Sequence, residues 1–353
     1  MDFWDQLGAG DSGEPPGGPG GRAVASLAAE GIVEPEYALR RAGGFEWWPG
    51  PRALRVGVTP ERTLEGLRVS RILVESDVCG AAPDTPALRE RVDLLNRHAS
   101  LSALVTTGTG GLVLAASLLA HEKNAGWTQR ILAPLVALQA AEACAMAAVL
   151  AEVGAAPATS SHPAAGPREV SQAERSALVR HVLARSAAPE LDARIFEDIA
   201  ATLREAGLAA KADGRGLDVE LPFAGETALV QMLGPMPHPG LGSGVLCLLV
   251  LPVLALRHPL ASEGLPALLA RLNAQARSAR FHAESLPALG GWAPDPASGH
   301  PALAAFVPAA LASDEVLTDL AMAQIARALL VARCFDECGD DSKAFARALA
   351  EAI

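Results

Sequence analysis

Two cysteines near the C-terminus have a spacing that could serve a metal ion. Cys334 and Cys338 are four residues apart in RCFDECGDD, so a helix would place both thiols on one face. Asp336, Glu337 and Asp340 are near enough in sequence to add carboxylate ligands. A lone pair of this kind is more often two small apolar side chains at a helix end, and the eight histidines show no ligand spacing. We therefore expect no metal and no cofactor.

Glycine-rich segments give no catalytic motif. Ser243 lies between glycines in GLGSG, but the flanking spacing differs from a G-x-S-x-G nucleophile elbow. Neither that segment nor GTGG at residues 108–111 has the strand-loop-helix frame of a phosphate site. Walker A, H-E-x-x-H and paired C-x-x-C motifs do not occur in the sequence. We predict that the chain is not an enzyme.

Composition limits the class of protein and of partner. A length of 353 residues predicts two domains, and an apolar fraction of 50% is enough for packed cores. The formal net charge of −11, with basic residues spread singly along the chain, argues against nucleic acid as a partner. Five dispersed cysteines and an acidic N-terminus without a signal peptide favour the cytoplasm. The bias toward Ala, Gly, Pro and Arg is typical of a GC-rich bacterial genome.

Two apolar segments are candidates for membrane spans. Residues 244–256 form a run shorter than the roughly 20 residues that a bilayer needs, and they contain Pro252. Residues 131–150 are long enough but include Pro134, Gln139 and Glu142. We therefore predict a buried strand and a buried helix, respectively, and no membrane partner.

Glycine and proline mark the boundaries along the chain. GAGDSGEPPGGPGGR at residues 8–22 predicts a flexible tail over 1–22, in which Phe3, Trp4 and Leu7 are either a short docking motif or a stray apolar terminus. VGAAPATSSHPAAGPRE has the same linker composition. We predict a first domain at 23–154, a linker at 155–170, a second domain at 171–338 and a C-terminal tail at 339–353.

Both domains show the same order of elements: strands, a middle helix, a hairpin and a long helix. Thr85-Pro86 and the Ser171/Glu174 capping box predict helix starts. The middle helices end in Leu95-Asn96 and Leu272-Asn273, with the same interval from the first leucine. This indicates an internal duplication. We expect two antiparallel sheets backed by helices, with Asn96 and Asn273 at equivalent positions.

The second hairpin differs from the first in its predicted loop. Residues 281–286 and 302–307 are strand-like, and residues 289–300 contain Gly290, Gly291, Pro294 and Pro296. We predict that residues 289–300 form an exposed, irregular insertion relative to the short turn at 108–111.

The element order resembles the YbjN-like and type III secretion chaperone-like fold, over both halves of the chain. GGFEWWPGPRALRVGVTPE at residues 43–61 is similar to the Phe-x-Trp-Trp-Pro-Gly opening of the peptide-binding chaperone families grouped with YbjN. The second half has no Trp-Trp-Pro segment. The resemblance implies an α+β protein of two tandem type III secretion chaperone-like domains. It also implies that the chain binds an extended segment of a protein or peptide client, in a bacterial secretion or conflict system.

A sheet face or edge could hold such a segment, with aromatic or methionine side chains in contact. Trp47, Trp48, Met232 and Met236 are the candidate peptide-binding residues. Because neighbouring strand residues point to opposite faces, we expect one indole to be buried and the other exposed. A structural scaffold that recruits folded partners is the alternative. Both a monomeric pseudo-dimer and a homodimer are compatible with the sequence.

Overall fold

The computed structural model describes residues 17–64, 66–185, 191–192, 194–238, 240–252, 265–279, 286–338 and 344–345. Within these residues the fold is α+β, with antiparallel sheets of eight and six strands and seven helices. The predicted fold class of two tandem sheet-plus-helix units is thus confirmed.

The first half runs from a short helix through a strand meander to a middle helix, a hairpin and a long helix. Its elements are α1 (Pro19–Ala29), β1 (Ala38–Arg41), β2 (Gly44–Trp47), β3 (Leu54–Val58), β4 (Arg62–Leu64), β5 (Leu67–Ala81), α2 (Pro86–Arg97), β6 (Ala103–Thr106), β7 (Leu112–Ala120), α3 (Ala125–Ala151) and β8 (Ala156–Pro157). The hydroxyl of Thr85 accepts from the backbone N–H of Leu88, which confirms the predicted cap of α2.

The second half repeats this order. Its elements are α4 (Gln172–Arg185), α5 (Ile195–Glu205), β9 (Ala210–Asp213), β10 (Gly216–Phe223), β11 (Glu226–His238), β12 (Gly242–Val250), α6 (Leu265–Ala274), β13 (Gly291–Pro294), β14 (Pro301–Pro308) and α7 (Asp314–Cys338). The capping box that begins α4 is also present, since Glu174 N–H donates to Ser171 Oγ and Ser171 N–H donates to the Glu174 carboxylate.

The two sheets have the same strand order. The first is β1-β2-β3-β5-β7-β6, and the second is β9-β10-β11-β12-β14-β13. Asn96 donates to the carbonyl of Leu104 and accepts from its N–H, and Asn273 makes the same two bonds with Trp292. The predicted equivalence of the two asparagines is confirmed, because each ties the end of a middle helix to the first strand of a hairpin.

A pair of glycines supports the same alignment. Gly44 begins β2 and Gly216 begins β10. An added Cβ would meet the carbonyl oxygen of Val56 in the first half and of Met232 in the second. Both positions therefore require glycine for the same close approach to the neighbouring strand.

Each sheet buries one face against its long helix. The inward residues of β3, β5 and β7 pack with α3, and those of β10, β11 and β12 pack with α7. The alternation of buried and exposed residues in β10, Gly216–Phe223, follows from this arrangement. The predicted strand at residues 244–256 is confirmed as far as Val250, and residues 253–264 lie outside the described residues.

The halves pack through equivalent elements used reciprocally. Helix α2 of the first half contacts β13 and β14 of the second, while α6 and the 3-10 turn Gln275–Arg277 contact β6 and β7 of the first. The N–H of Phe306 lies 3.2 Å from the carbonyl oxygen of Ala99. Ala276 follows Asn273 by three residues, just as Ala99 follows Asn96. It is buried against Ala103 and Ala115 of the first half. This is the arrangement of a two-fold dimer within one chain.

The predicted tail and linker are more ordered than their composition suggested. Helix α1 begins at Pro19, inside the predicted tail. It packs closely on the first sheet at Gly20, where an added Cβ would meet the Ser70 hydroxyl. Phe345, within the predicted C-terminal tail, is buried and packs on Phe335 with ring centroids 5.6 Å apart. Phe3, Trp4 and Leu7 lie outside the described residues.

The predicted irregular loop at residues 289–300 is wrong. Residues Gly291–Pro294 form β13, and the loop to β14 is short. The extra residues of the second half lie before the hairpin instead, between Asn273 and β13, because Asn273 fixes Trp292 as the counterpart of Leu104. Of the strand predicted at residues 281–286, all but Leu286 lies outside the described residues.

Among the described residues, one helix is long and apolar enough to cross a membrane, at Glu122–Ala151. Two thirds of its most apolar window, 67%, is buried inside the protein. Gln139 in this helix donates to the Val74 carbonyl and to Ser102 of the first half. The segment is the core helix α3, as predicted, and this burial is what a soluble protein shows.

Candidate functional site

The two tryptophans of the Trp-Trp-Pro-Gly segment are both buried, with exposed fractions of 0% for Trp47 and 4% for Trp48. The expectation that one indole is exposed is therefore wrong. Trp47 points inward from β2 as alternation requires. Trp48 follows the end of that strand, and residues 155–168, which we call the connecting segment, cover it.

The connecting segment makes up most of the predicted linker, residues 155–170, and it packs along the first sheet. Its short strand β8 pairs with the end of β5, and Ser160 N–H donates to the carbonyl of Pro51 at 2.9 Å. The indole N–H of Trp48 donates to Ser160 Oγ at 3.0 Å. The ring of His162 meets Trp48 edge to face, with centroids 5.1 Å apart. These contacts close the surface that was predicted to hold a client.

Glu34 binds the C-terminal end of the connecting segment through an ion pair with Arg168. Arg168 donates to both oxygens of Glu34, at 3.1 and 2.8 Å, and its guanidinium lies 4.3 Å from the ring centroid of Tyr37. The Trp47 indole also donates to Glu34, at 2.9 Å. Burial alone would raise the pKa of Glu34, but the bonds from Arg168 and Trp47 outweigh it and hold that pKa below its usual value.

The predicted methionines do not meet the tryptophans. Met232 is fully buried on the inner face of β11, opposite Cys247, because its place in the strand faces α7. Within the described structure the side chain of Met232 is therefore not presented on a surface. Met236 lies beyond the bulge in the same strand and is partly exposed. No described contact brings Met236 together with Trp47 or Trp48, so the four residues do not form one surface.

The sheet edges offer little room for an added strand. Edge strands β6 and β13 lie at the junction between the halves. Edge strands β1 and β9 are four residues each, and they carry Arg40, Arg41 and Lys211. Short edges with basic side chains resist pairing with another chain. Between the two predicted modes of peptide binding, the geometry favours a sheet face over a sheet edge.

The outer face of the first sheet is covered by ion pairs. Arg55 donates to both oxygens of Asp77, at 2.8 and 2.9 Å, and to Glu46 at 3.2 Å. Glu75, almost fully buried, pairs with Arg55 and with Arg277 from the second half. Burial opposes ionisation of Arg55, but its acidic neighbours, Asp77 first, raise its pKa above the usual value. This face is therefore electrostatically satisfied.

The outer face of the second sheet carries apolar side chains instead. We define the apolar face by the partly exposed residues of β11 and β12, which are Leu229, Leu233, Leu246, Leu248 and Val250. They are neighbours in register, since Leu229 pairs with Val250 and Leu233 with Leu246. Gln231, opposite Leu248, lies among them, and its amide donates to Asp218 on β10 at 2.8 Å.

Strand register makes the contrast between the two faces specific. In the first sheet, Ala103 is the outward residue just before Leu104. The residues paired with it in register across the next four strands are Ala115, Glu75, Arg55 and Glu46. In the second sheet, Gly291 is the outward residue just before Trp292. The corresponding register partners across the next four strands are Ala304, Leu248, Gln231 and Asp218. Leu248 and Gln231 thus take the places of the ion pair Glu75 and Arg55.

The described residues line two small pockets and hold no grouped set of three metal ligands. Two pockets lined by them have cavity volumes of about 10 Å³ each, one at the junction around Asn273 and one beside Cys144. This is space for about one water molecule. No group of three metal-ligating residues occurs in this part of the chain. Burial raises the pKa of the Cys334 thiol, so the predicted structural use of Cys334 agrees with its packing.

Sequence reasoning missed the apolar face, although a signal for it was present. Over residues 229–233 of β11 and 246–250 of β12, five of the six outward positions are leucine or valine, and Gln231 is the sixth. Strand β10 instead alternates strictly, with Asp218 and Glu220 facing outward. Apolar residues on both faces of an antiparallel strand indicate that both faces are covered.

Comparison with protein-family models, curated proteins and solved structures finds no match for this chain.

Proposed function

We propose that this protein is a non-enzymatic, protein-binding chaperone or adaptor that holds an apolar segment of a partner on the apolar face of its second sheet. The observation that supports the proposal is the replacement of the Arg55–Glu75 ion pair by Gln231 and Leu248 at equivalent positions. A contiguous, partly exposed apolar patch on a sheet is typical of an interaction surface.

The internal symmetry supports the same proposal. Two halves that pack reciprocally through α2 and α6 give a pseudo-dimer in one chain, so we propose a monomer. The element order, with each middle helix ending in the Asn96 or Asn273 contact, agrees with the YbjN-like and secretion chaperone-like resemblance. From that resemblance we propose a cytoplasmic bacterial protein of a secretion or conflict system.

The first half supplies a fold-compatible variant to test the apolar face. Gln231→Arg with Leu248→Glu places on the second sheet the pair that the first sheet already holds at Arg55 and Glu75. We expect this double variant to fold, and to bind labelled apolar peptides at least about tenfold more weakly than wild type in fluorescence anisotropy. Leu329→Glu, which changes an exposed residue on α7, is the matched control. Equal binding by wild type and the double variant would contradict the proposal.

One observation favours the alternative of a structural scaffold. Trp47 and Trp48 are buried by the chain itself, so the motif that suggested a peptide groove serves internal packing. A scaffold would bind folded partners through other surfaces. Cross-linking in the native host distinguishes the two: a folded partner captured equally by wild type and by the Gln231→Arg/Leu248→Glu variant would support the scaffold.

A further inference from the structure

The surroundings of the apolar face restrict what can lie on it. On one side, the ring of Phe306 on β14 is already covered, because it packs on His238 with ring centroids 4.7 Å apart, and His238 Nε2 lies 2.9 Å from the carbonyl oxygen of His98 in the first half. On the other side, β10 presents the exposed carboxylates of Asp218 and Glu220 in register with Gln231 and Leu229. The face is thus a strip that is closed on one flank and acidic on the other.

The backbone of the occupant must be satisfied without help from the sheet. The backbone groups of β11 and β12 are used within the sheet, so a sheet face offers no hydrogen bonds to an extended chain. A helix satisfies its own N–H and C=O groups while presenting one apolar stripe. Within the described structure, helices already cover the inner faces of both sheets, α3 on the first and α7 on the second. A helix is therefore the form that fits the strip.

The negative charge around the apolar face favours a helix with basic side chains. Lys211 is the basic residue that pairs with Glu220, at 3.0 Å, and both side chains are mostly exposed. An exposed pair of this kind offsets little of the local negative charge. The chain as a whole carries a formal charge of −11, which disfavours a second copy as the occupant and favours a basic segment.

We infer that the segment held on the apolar face is an amphipathic helix of the partner, with Leu-like side chains in one stripe and Lys or Arg along the flank that faces β10. This inference rests on the proposed function and adds the chemical class of the partner. The strip between Phe306 and Asp218 would accept such a helix beside the residues of the first half, continuing the contact between the halves.

Three synthetic helical peptides of about 15 residues test the inference, since such a helix spans about 22 Å. They share one leucine stripe and differ only in flanking residues, which are Lys, Gln or Glu. At low salt we expect the Lys peptide to bind at least about tenfold more tightly than the Glu peptide, with the difference shrinking at high salt. Fluorescence anisotropy with labelled peptide measures both affinities.

Two variants separate failure of this inference from failure of the proposed function. Asp218→Asn with Glu220→Gln keeps the side-chain shapes, and it should remove the preference for Lys over Glu while leaving the Gln peptide unaffected. Gln231→Arg with Leu248→Glu should weaken all three peptides. If the three peptides bind equally and the second variant weakens them, the basic class is overturned and the proposed function stands.

Two further outcomes count against the inference. If no peptide binds, or if the Gln231→Arg/Leu248→Glu variant binds all three as wild type does, both the inference and the proposed function are overturned. If wild type sediments as a dimer and that variant as a monomer, the occupant is a second copy of this chain, which also overturns the basic helix. Wild type that is monomeric and prefers the Lys peptide supports it.

Discussion

The indole nitrogen of Trp48 lies 3.0 Å from the hydroxyl oxygen of Ser160, and this bond joins residues 112 positions apart in the sequence. It fixes the connecting segment to the first half, at residues whose composition predicts a linker between domains. Because Trp48 is buried with its polar atom satisfied, its function in the described structure is stability.

The first prediction concerns this anchor. Trp48→Ala should lower the free energy of unfolding by about 3 to 5 kcal/mol, as for other buried aromatic truncations. Ser160→Ala should lower it by about 1 kcal/mol, because it removes the acceptor of the indole N–H. The exposed neighbour Ser161 supplies the control, and Ser161→Ala should stay within about 0.5 kcal/mol of wild type in urea unfolding. Indistinguishable Ser160 and Ser161 variants would show that the bond contributes nothing.

The second prediction concerns pH and Glu34. Its folded pKa is lowered below the ordinary value of 4.5. A lowered folded pKa means that this contribution to stability is present above pH 4.5 and is lost as the pH falls through the folded pKa. The difference in unfolding free energy between wild type and Glu34→Gln should therefore be larger at pH 7 than at pH 3. A difference that is constant with pH would contradict the ion pair with Arg168.

The third prediction concerns the buried carboxyl of Glu142 on α3. Burial raises its pKa to about 7, although the hydroxyl of Ser100 donates to it at 2.8 Å. The raised folded pKa means that the folded state holds this proton more tightly than the unfolded state does. Stability should therefore fall as the pH rises from 4.5 to about 7, by an amount on the order of 3 kcal/mol.

Glu142→Gln should remove this fall, because the amide does not ionise. The comparison requires unfolding curves of wild type and variant at pH 5 and pH 8. Glu152→Gln, at an exposed position just after the same helix, is the control and should leave the pH dependence within about 0.5 kcal/mol of wild type. Parallel curves for wild type and Glu142→Gln would refute the prediction.

The fourth prediction uses the internal repeat as its own control. Asn96→Ala and Asn273→Ala each leave a buried backbone N–H and a buried C=O without partners, at Leu104 and at Trp292. We expect each variant to lose about 2 to 4 kcal/mol of stability. The two losses should agree within about 1 kcal/mol, and a large loss at one site alone would argue against equivalent positions.

The sequence allowed the repeated fold to be predicted because its signals are local. Thr85, Ser171 and the Leu-Asn helix ends act within a few residues, and each of them is confirmed. The position of the insertion could not be predicted in the same way. It depends on which strand residue Asn273 contacts, and that contact spans 19 positions.

The candidate site was harder to predict from the sequence, because it too depends on contacts between residues far apart in the chain. Whether Trp48 is exposed is decided by Ser160 and His162, which local alternation cannot reveal. The linker composition was also misleading, because proline and glycine are compatible with an ordered segment that lies along a sheet. The contrast between Glu75 and Leu248 becomes visible only when the register of both sheets is known.

The covalent union of the two halves has a consequence for stoichiometry. In a homodimer, any change of Glu75 to leucine would appear on both subunits and create two identical docking faces. In this chain the two halves differ in sequence, so one face holds ion pairs and the other holds leucines. If the apolar face binds a partner as proposed, each chain offers one such face, so it would take one partner per chain and would not cross-link partners through this face.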